Sequence, residues 1–437
     1  NGEDSTTVIK NFTLRNGIGW QNNGSAILMG GGDYAGSPGP KLENLCITQN
    51  YDLAITSFGA TFSLKNSRII NNHDGGICLQ YSQLSTLDNV IISGNQGRGV
   101  DIERSGASPV FNNVTISNNV GGNGAGVRCH EQASPTFTNC VISNNTATGS
   151  GGGIYGAQNS SIILDSVTIS NNTANEGGGI STSNSKLIIR NSTISSNTSD
   201  DNGGGVSHRG GDEATFYNCV FQNNVGTVGG GLMTEGQDVV VSESIFRGNS
   251  CNERGSAIHL YGNGDYIISN SIFIQNSTTE NQSGEAAVIY FAQWPDNATP
   301  SIRMQNSILW DNDIPSFLFM RAHQDTLMID YSIIEGGIDS INAVGNQLIY
   351  GSNNLDQDPL FSDINSGDYT LQSGSPAIDV GNPNAFYNDG DGTRNDMGYT
   401  GGNGIVLSAT DIDFGYVAVN DSRDKTLTIT NTKNSDI

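Results

Sequence analysis

The sequence predicts an all-β chain that folds largely as a right-handed parallel β-helix, and two repeating patterns support this prediction. An apolar residue followed three positions later by asparagine recurs at intervals of 22 to 27 residues, with one interval of 36. Three glycines followed by isoleucine, valine or leucine begin at Gly151, Gly177, Gly203 and Gly229, each 26 residues after the last. Periods of about 20 to 50 residues indicate a repeat architecture. The repeat asparagines are Asn50, Asn72, Asn95, Asn119, Asn145, Asn172, Asn197, Asn224, Asn249, Asn276 and Asn312.

The segments within one repeat are short and rich in β-branched residues, and turn residues separate them. Examples are "GVRC", "SPTF" and "NCVIS". No helical apolar period appears, which excludes the repeats that contain helices. We therefore expect three short strands in each coil of about 25 residues. The β-helix is expected to cover residues 1–337.

The alternation of side chains along a strand predicts which repeat positions face the core. Small residues such as Val114, Cys140 and Cys219 stand five positions before the repeat asparagines, as a crowded interior requires. Cys140 and Cys219 lie three coils apart, about 14 Å at 4.8 Å per coil, which is beyond the reach of a disulfide. The repeat asparagines are expected to bond from coil to coil and to adopt the left-handed backbone of a sharp corner.

Composition excludes several classes of partner. The 437 residues include 19 basic and 43 acidic side chains, a net charge of −24. Such a chain repels nucleic acid and anionic lipid, and it disfavours polyuronates unless bound Ca²⁺ inverts the local charge. No run of about 18 apolar residues is present, so direct membrane insertion is not expected. The six cysteines form no CxxC pair, which argues against zinc and iron–sulfur sites.

The repeats resemble those of bacterial surface β-helix proteins, including the polymorphic outer-membrane adhesin family. The residues that carry the resemblance are "GGGI" at 151–154 and 177–180, "GGGV" at 203–206, "GGGL" at 229–232, "FQNN" at 221–224 and "FRGN" at 246–249. The match covers roughly residues 20–312. It implies a secreted or surface-displayed bacterial protein, with an adhesive role as the natural expectation and further coils or a cap upstream.

The repeat pattern changes after residue 337. Residues 338–404 contain "DYTLQSGSPAID" and "DMGYTGG", and this segment is similar to the choice-of-anchor Q module that closes many secreted β-helix proteins. A solenoid end exposes unpaired strand edges, so a closing cap is expected there. Residues 405–437 look like the start of an Ig-like domain of the choice-of-anchor D or ASH type. This resemblance implies export by the type IX route and an anchor further along the chain.

Outward positions of the strand after each glycine turn are expected to stack into two columns. The first column is Thr56, Cys78, Asp101, Arg128, Tyr155, Ser181, Ser207, Met233 and His259. The second column is Phe58, Gln80, Glu103, His130, Ala157, Ser183, Arg209, Glu235, Tyr261 and Phe291. Neighbouring coils then bring together Asp101, Glu103, Arg128, His130 and Tyr155. A second cluster contains Arg209, Glu235, His259 and Tyr261.

Both clusters are candidate ligand-binding sites, and the first is also a candidate catalytic site. A polysaccharide lyase needs a base beside the uronate α-proton and an acid for the leaving oxygen, roles that Arg128, His130 and Tyr155 could fill. A glycoside hydrolase needs two spaced carboxylates, for which Asp101 and Glu103 are available. Opposite charges on adjacent strands are also ordinary sheet stabilisation. The residue types alone leave catalysis, ligand contact and a plain surface open.

Two further predictions concern the loop at 389–396 and His208. The loop "DGDGTRND" offers Asp389, Asp391 and Asp396 as oxygen ligands for a structural Ca²⁺, although Asp-Gly pairs are also common turn formers. His208 falls on an inward position and is expected to be a hydrogen-bonded core histidine.

The sequence thus favours an extracellular or cell-surface β-helix protein that acts in adhesion, surface structure or glycan recognition. The expected partners are a polysaccharide or a cell-surface protein, together with export or anchoring machinery. Two alternatives stay open: an extracellular polysaccharide lyase or glycoside hydrolase that uses the Asp101–Tyr155 face, and a passive stalk of a larger surface protein.

Overall fold

A computed structural model shows a long solenoid of short parallel strands. It describes residues 6–18, 25–30, 37–82, 84–236, 238–279, 286–292, 301–313, 318–320, 326–343, 345–389, 392–399, 405–407 and 429–431. Within these ranges there is no α-helix, and the 3₁₀ turns are Gly337–Ser340 and Ala385–Tyr387. No helix long and apolar enough to cross a membrane occurs in the part of the chain that the structure describes. The predicted all-β parallel β-helix is confirmed.

Each complete coil has three faces, and its strands belong to three parallel sheets. In one central coil, Ile154–Ala157 lies in sheet B, Ser161–Asp165 and Thr168–Ser170 in sheet A, and Thr173–Ala174 in sheet C. The two sheet A strands of this coil are separated by Ser166, which has a φ of 58°, so this face of the coil is bent into two short strands.

The strands of the three sheets stack in chain order. Sheet B contains Ser25–Met29, Leu53–Phe58, Ile77–Gln80, Val100–Glu103, Val127–His130, Ile154–Ala157, Ile180–Ser183, Val206–Arg209, Leu232–Glu235, Ile258–Tyr261, Ile289–Ala292, Leu318–Met320 and Ile341–Asn342. Sheet C contains Val120–Gly121, Thr146–Ala147, Thr173–Ala174, Thr198–Ser199, Val225–Val228, Ser250–Arg254 and Ser277–Thr278.

Sheet A is the longest of the three and takes up to two strands from each coil. It contains Val8–Lys10, Thr13–Arg15, Ser37–Glu43, Cys46–Thr48, Ala60–Ile70, Thr86–Ser93, Val110–Asn112, Thr115–Ser117, Thr136–Thr138, Val141–Ser143, Ser161–Asp165, Thr168–Ser170, Lys186–Arg190, Thr193–Ser195, Ala214–Tyr217, Val220–Gln222, Val239–Ser242, Ile245–Arg247, Tyr266–Ser269, Ile272–Ile274, Ser301–Gln305, Ile308–Trp310, Thr326–Asp330, Ile333–Ile334 and Gln347–Tyr350.

The core is a set of stacked columns of apolar side chains. Ile142 pairs in register with Ile116 and Ile169, and all three are buried. Phe221 and Phe246 stack with ring centroids 4.4 Å apart. Cys140 and Cys219 are buried free thiols, as predicted, and burial raises the pKa of each.

The repeat asparagines form a continuous ladder, which is buried from Asn50 to Asn276. The side-chain amide of Asn145, for example, donates to Oδ1 of Asn172 at 3.0 Å and to the carbonyl oxygen of Ile116 at 3.0 Å. Asn172 repeats this pattern toward Asn197 and Ile142. The predicted coil-to-coil bonding is therefore confirmed.

The predicted left-handed backbone belongs to the residue just before each ladder asparagine. Asn144 and Asn171 have φ values of 56° each, whereas the ladder residues Asn145 and Asn172 do not have positive φ. Because a left-handed residue reverses the direction of its neighbour's side chain, this corner turns the ladder amide inward while its predecessor stays exposed.

The glycine triplets turn each coil into its sheet B strand. Gly177 has a φ of 61°, which favours glycine. Gly178 is needed for another reason, since a Cβ at this position would lie 2.6 Å from the backbone oxygen of Gly204 in the next coil. The glycine triplet thus allows the backbones of successive coils to lie in close contact.

Parallel pairing continues beyond residue 337, because Gln347–Tyr350 pairs with Thr326–Asp330. Residues 355–389 and 392–399, hereafter the closing segment, then fold back and pack against the outer face of sheet A beside the last coils. This segment contains one antiparallel pair, Phe361–Asp363 with Asp368–Leu371. Its buried residues Phe361, Tyr369, Ala377 and Met397 form one apolar cluster with Ile245, Ile272, Ile274, Ile308 and Ile333.

Little of the expected Ig-like segment lies within the described residues. Ile405–Leu407 pairs antiparallel with Ile429–Asn431, and the rest of 405–437 lies outside the described ranges. The division into modules at 337 and 404 stays a prediction, as does the resemblance of these modules to anchor domains.

Candidate functional site

The outer face of sheet B, hereafter the sheet B face, carries the two predicted columns. Asp101 pairs in register with Cys78 on one side and with Arg128 on the other, and Arg128 pairs with Tyr155. Glu103 pairs with Gln80 and His130. The predicted register is therefore confirmed for these coils, since parallel in-register strands keep equivalent side chains in line.

One predicted column member is wrong. Phe291 pairs with Leu260, which is an inward residue, and it is buried in the core. Ala292 takes the outward place next to Tyr261. The coil before this strand is longer than its neighbours, so the strand register predicted from the sequence is wrong by one residue. A shift of one residue along a strand moves a side chain to the opposite face.

Arg128 lies at the centre of the first cluster. Its Nε donates to Asp101 Oδ1 at 2.7 Å, and its Nη2 donates to Asp101 Oδ2 at 2.5 Å. The same Nη2 also donates to Glu103 Oε1. One guanidinium therefore pairs with two carboxylates from the preceding coil, and its contact with Asp101 has the bidentate geometry that arginine favours.

His130 completes the cluster beside Glu103. Its Nε2 lies 3.1 Å from Glu103 Oε1, a charge-pair distance, but the atom is buried and lacks hydrogen-bond geometry to any partner among the described residues. Gln80 donates its side-chain amide to Glu103 Oε2 at 3.0 Å. The side chains of Asp101 and Glu103 are only 14% and 13% exposed, so this cluster is half enclosed by its neighbours.

The surroundings of the cluster fix the charge states that matter for chemistry. Burial alone would lower the pKa of Arg128, but the hydrogen bond and charge of Asp101, with the charge of Glu103, raise it overall. Burial, with Asp101 and Glu103 nearby, raises the pKa of the Cys78 thiol to about 12. Arg128 is therefore a permanent cation and Cys78 an unreactive thiol.

Three donor groups of this cluster could also approach a metal ion. Ligand atoms of Asp101, Glu103 and His130 lie within 4.8 Å of one another. The guanidinium of Arg128, however, already contacts both carboxylates. A cation would have to displace this arginine, so the arrangement fits an ion-paired surface better than a metal centre.

The second predicted cluster is assembled only in part. Arg209 Nε lies 3.6 Å from Glu235 Oε2, but it lies closer, at 2.7 Å, to Glu176 Oε1. Ser207 also donates its hydroxyl to Glu176 Oε1 at 2.7 Å. Glu176 was not predicted, because it stands on the loop before Gly177 and reaches the sheet B face across the coil.

His259 faces outward as predicted but is covered, with 6% of its surface exposed. Its ring stacks on Tyr290 with centroids 5.1 Å apart, and it stacks on Tyr261 at 6.2 Å. Both ring nitrogens are buried without a hydrogen-bond partner in the described part of the chain. Burial first, and then the charge of Arg254, lowers the pKa of His259 to about 3. This part of the first column is thus closed to a ligand, as is Met233 at 5% exposure.

The calcium loop and His208 complete the predicted positions. Asp389 accepts hydrogen bonds from the Asn395 amide at 3.3 Å and from the Asp396 backbone at 3.2 Å, which ties the loop together. Asp391 lies outside the described residues, so the structural Ca²⁺ stays a prediction. His208 is a buried core histidine, as expected, with Nδ1 2.7 Å from Thr182 Oγ1.

The family comparison agrees with this architecture. The family model described as "Right handed beta helix region" matches residues 1–150 and 125–354. A solved structure titled "Crystal structure of pectate lyase Pel9A" is 10% identical, with a TM-score of 0.39, over 91% of this chain and 87% of that chain. Among curated proteins, no sequence matches the chain.

Proposed function

The chain belongs to the right-handed beta helix family, and we propose that it is a secreted or cell-surface protein whose sheet B face binds a polysaccharide or a cell-surface protein. The observation that carries this proposal is the partly exposed charge cluster centred on Arg128. It presents fixed hydrogen-bonding groups of both signs from neighbouring coils on one rigid sheet. Such preorganised groups lose little freedom when a ligand binds.

Binding fits this cluster better than catalysis does. A lyase base must accept a proton, and the pKa of Arg128 is raised further by its carboxylate partners. A hydrolase needs two carboxyl groups that are free to act on the glycosidic bond and on water, but Asp101 and Glu103 are both engaged by the guanidinium of Arg128. The cluster therefore offers fixed, ion-paired groups for binding a ligand, not a group that is free to exchange a proton with it.

The proposal is tested by a panel of neutral and acidic polysaccharides, with and without Ca²⁺. We expect the chain to be retained by at least one polymer without release of reducing or unsaturated ends. Arg128→Ala should weaken that retention at least tenfold. Arg190→Ala is the matched control, because Arg190 forms a similar pair with Asp165 at 3.0 Å on the outer face of sheet A.

Other outcomes would contradict the proposal in different ways. Release of new chain ends by the wild type, lost in His130→Ala, would identify a lyase or hydrolase at the Asp101–Tyr155 face. Retention by no polymer and no cell surface would identify a passive stalk.

A further inference from the structure

The two ends of the solenoid differ from its sides, because their strands have a partner on one side only. In the first coil, Val8–Lys10, Thr13–Arg15 and Ser25–Met29 pair with the coil that follows. In the last coil, Gln347–Tyr350 and Ile341–Asn342 pair with the coil that precedes them. No other described strand pairs with these five strands. They form two open edges, hereafter the first-coil edge and the last-coil edge, whose backbone groups can pair with another strand.

The apolar core is open to solvent at the last-coil edge. Leu348 and Tyr350 pair with Leu327 and Ile329, which are buried inward residues of the preceding coil. Leu348 and Tyr350 therefore also point inward and pack on the core, but each keeps part of its surface exposed. The closing segment packs against the outer face of sheet A and leaves this end of the core open.

The core columns that end at the last-coil edge begin at the first-coil edge. One column runs in register from Ile9, through a buried apolar residue in each coil, to Tyr350. A second column runs from Ile27 to Ile341. All four end residues are partly exposed. The first coil thus carries the two apolar side chains that a further coil would need, about 4.8 Å beyond the last one.

The charges at the two ends are opposite in sign. The first coil, as far as it is described, carries Lys10 and Arg15 and no acidic side chain. The described residues between 326 and 358 carry no basic side chain and five acidic ones, which are Asp330, Glu335, Asp339, Asp356 and Asp358. Two like ends would therefore repel each other, whereas a first-coil edge and a last-coil edge attract each other.

The two cations lie in the same outward columns as two of these acids. The column of Lys10 runs in register to Asp330, and the last place after it is Gly351. A Cβ at Gly351 would clash with Oδ1 of Asp330, so this carboxylate lies over the glycine at the open edge. The column of Arg15 likewise leads to Glu335. A first coil docked in register would place Lys10 over Gly351, against Asp330, and Arg15 in line with Glu335.

We propose that the last-coil edge binds the first-coil edge of a second copy of this chain, so that copies join end to end. The contact gives both edges a strand partner, continues two core columns and pairs opposite charges. It joins two different surfaces of the chain, so each added copy leaves a free edge for the next one. Such a heterologous contact produces rods of increasing length instead of a closed dimer.

Sedimentation velocity of the full chain at increasing concentration tests the proposal, together with electron microscopy. We expect the mean sedimentation coefficient to rise with concentration, and rods one solenoid wide whose lengths are multiples of one chain. Lys10→Glu with Arg15→Glu should weaken the association at least tenfold, because both edges then carry acids. Lys65→Glu with Arg68→Glu is the matched control, since both residues are exposed on sheet A and Lys65 pairs with Glu43 as Lys10 does. The control should change the association less than twofold.

Variants of the last-coil edge test whether the contact joins two different ends. Asp330→Asn with Glu335→Gln removes two charges and keeps the oxygen atoms that accept hydrogen bonds from the backbone of Tyr331 and Asp311. This variant should also associate more weakly than the wild type. An equimolar mixture of the two edge variants contains one unaltered pair of edges, so it should form species of two copies and no long rods.

Several outcomes would overturn the proposal. They are a single chain at every concentration, a wild-type association that stops at two copies, equal loss in the edge variants and the control, and a mixture no more associated than its components. Because the two edge variants alter opposite ends, a folding defect in one, detected by its thermal midpoint, leaves the other as a test. Ligand retention by the sheet B face is measured separately, so the proposed function stands or falls independently of this result.

Discussion

The guanidinium of Arg128 and the carboxylate of Asp101 form a two-point contact between adjacent coils, with Nε–Oδ1 at 2.7 Å and Nη2–Oδ2 at 2.5 Å. The two residues are directly paired in the strand register. The parallel stacking therefore presents both charges at fixed spacing, and the rest of the cluster is arranged around this contact.

The Arg128–Asp101 contact is expected to stabilise the solenoid as well as to organise the sheet B face. Arg128→Ala should lower the free energy of unfolding by about 2 kcal/mol, because two half-buried carboxylates lose their charged donor. Asp101→Ala should cost less in the Arg128→Ala background than alone. A double-mutant cycle measured by denaturant unfolding checks this coupling, and additive effects of the two changes would contradict it.

The asparagine ladder offers a comparison between adjacent residues of the same type. Asn172→Ala should lower the unfolding free energy by at least about 2 kcal/mol, because the amide and backbone of Asn145 would lose their buried acceptor. Asn171→Ala should cost about 1 kcal/mol, since only a left-handed backbone preference is lost. Thermal unfolding of the two variants should rank them in this order. Equal thermal midpoints would show that the hydrogen bonds of the ladder asparagine contribute no more to stability than the left-handed corner residue does.

Glycine at the second place of the triplet is expected to be irreplaceable. Gly178→Ala should prevent folding of this region or greatly lower its thermal midpoint, because the Cβ would lie 2.6 Å from Gly204 O. Gly374→Ala is the control, since its φ is ordinary and no atom of the described residues lies within 4 Å of the place its new methyl group would take. Circular dichroism during heating distinguishes the two. A mild effect of Gly178→Ala would mean that the coils can separate at this corner.

The buried ring of His259 is expected to make the stability of the folded chain depend on pH. Its pKa is about 3 when folded and 6.5 when unfolded, so the unfolded chain binds the extra proton between these values. Stability from this group is fully present above pH 6.5 and falls by about 1.4 kcal/mol per pH unit as the pH is lowered toward 3. His259→Phe keeps the stacking on Tyr290 and removes the titration, so its unfolding midpoint should fall less between pH 7 and pH 4.

The exposed His73 supplies the control for this measurement. His73→Phe makes the same exchange at the surface, where the ring is exposed and stacked on Tyr51, and it therefore shows what the exchange itself does to the unfolding midpoint. A His259→Phe profile parallel to that of the wild type would show that His259 can be protonated without unfolding the coil.

The stacking of the candidate site was predictable because a solenoid repeats its geometry. Once one coil is aligned by its ladder asparagine, strand alternation places Asp101, Arg128 and Tyr155 in one column. The prediction was wrong at Phe291, where the coil is longer and no local residue marks the register. The strand register can therefore be predicted from coil to coil where the repeat length is regular, and the prediction fails where a coil is longer.

Contacts that depend on loops and on distant segments were not predictable. Glu176 reaches Arg209 from a loop whose path is not encoded in the strand pattern. His259 and Met233 point outward, as alternation requires, yet both are covered. The closing segment lies along the side of the last coils, where Tyr399 donates to Asn218 across 181 residues of sequence. Each of these contacts joins parts of the chain that do not belong to the same repeat pattern.

The sequence by itself determined the parallel β-helix, the asparagine ladder and the two outward columns, because each follows from a local pattern repeated once per coil. Only the tertiary structure decided which parts of the outer surface stay open, since exposure depends on where loops and the closing segment come to lie. It left the Arg128 cluster partly exposed and covered His259. The position of a residue on a coil is a short-range property, whereas its access to a ligand is set by long-range packing.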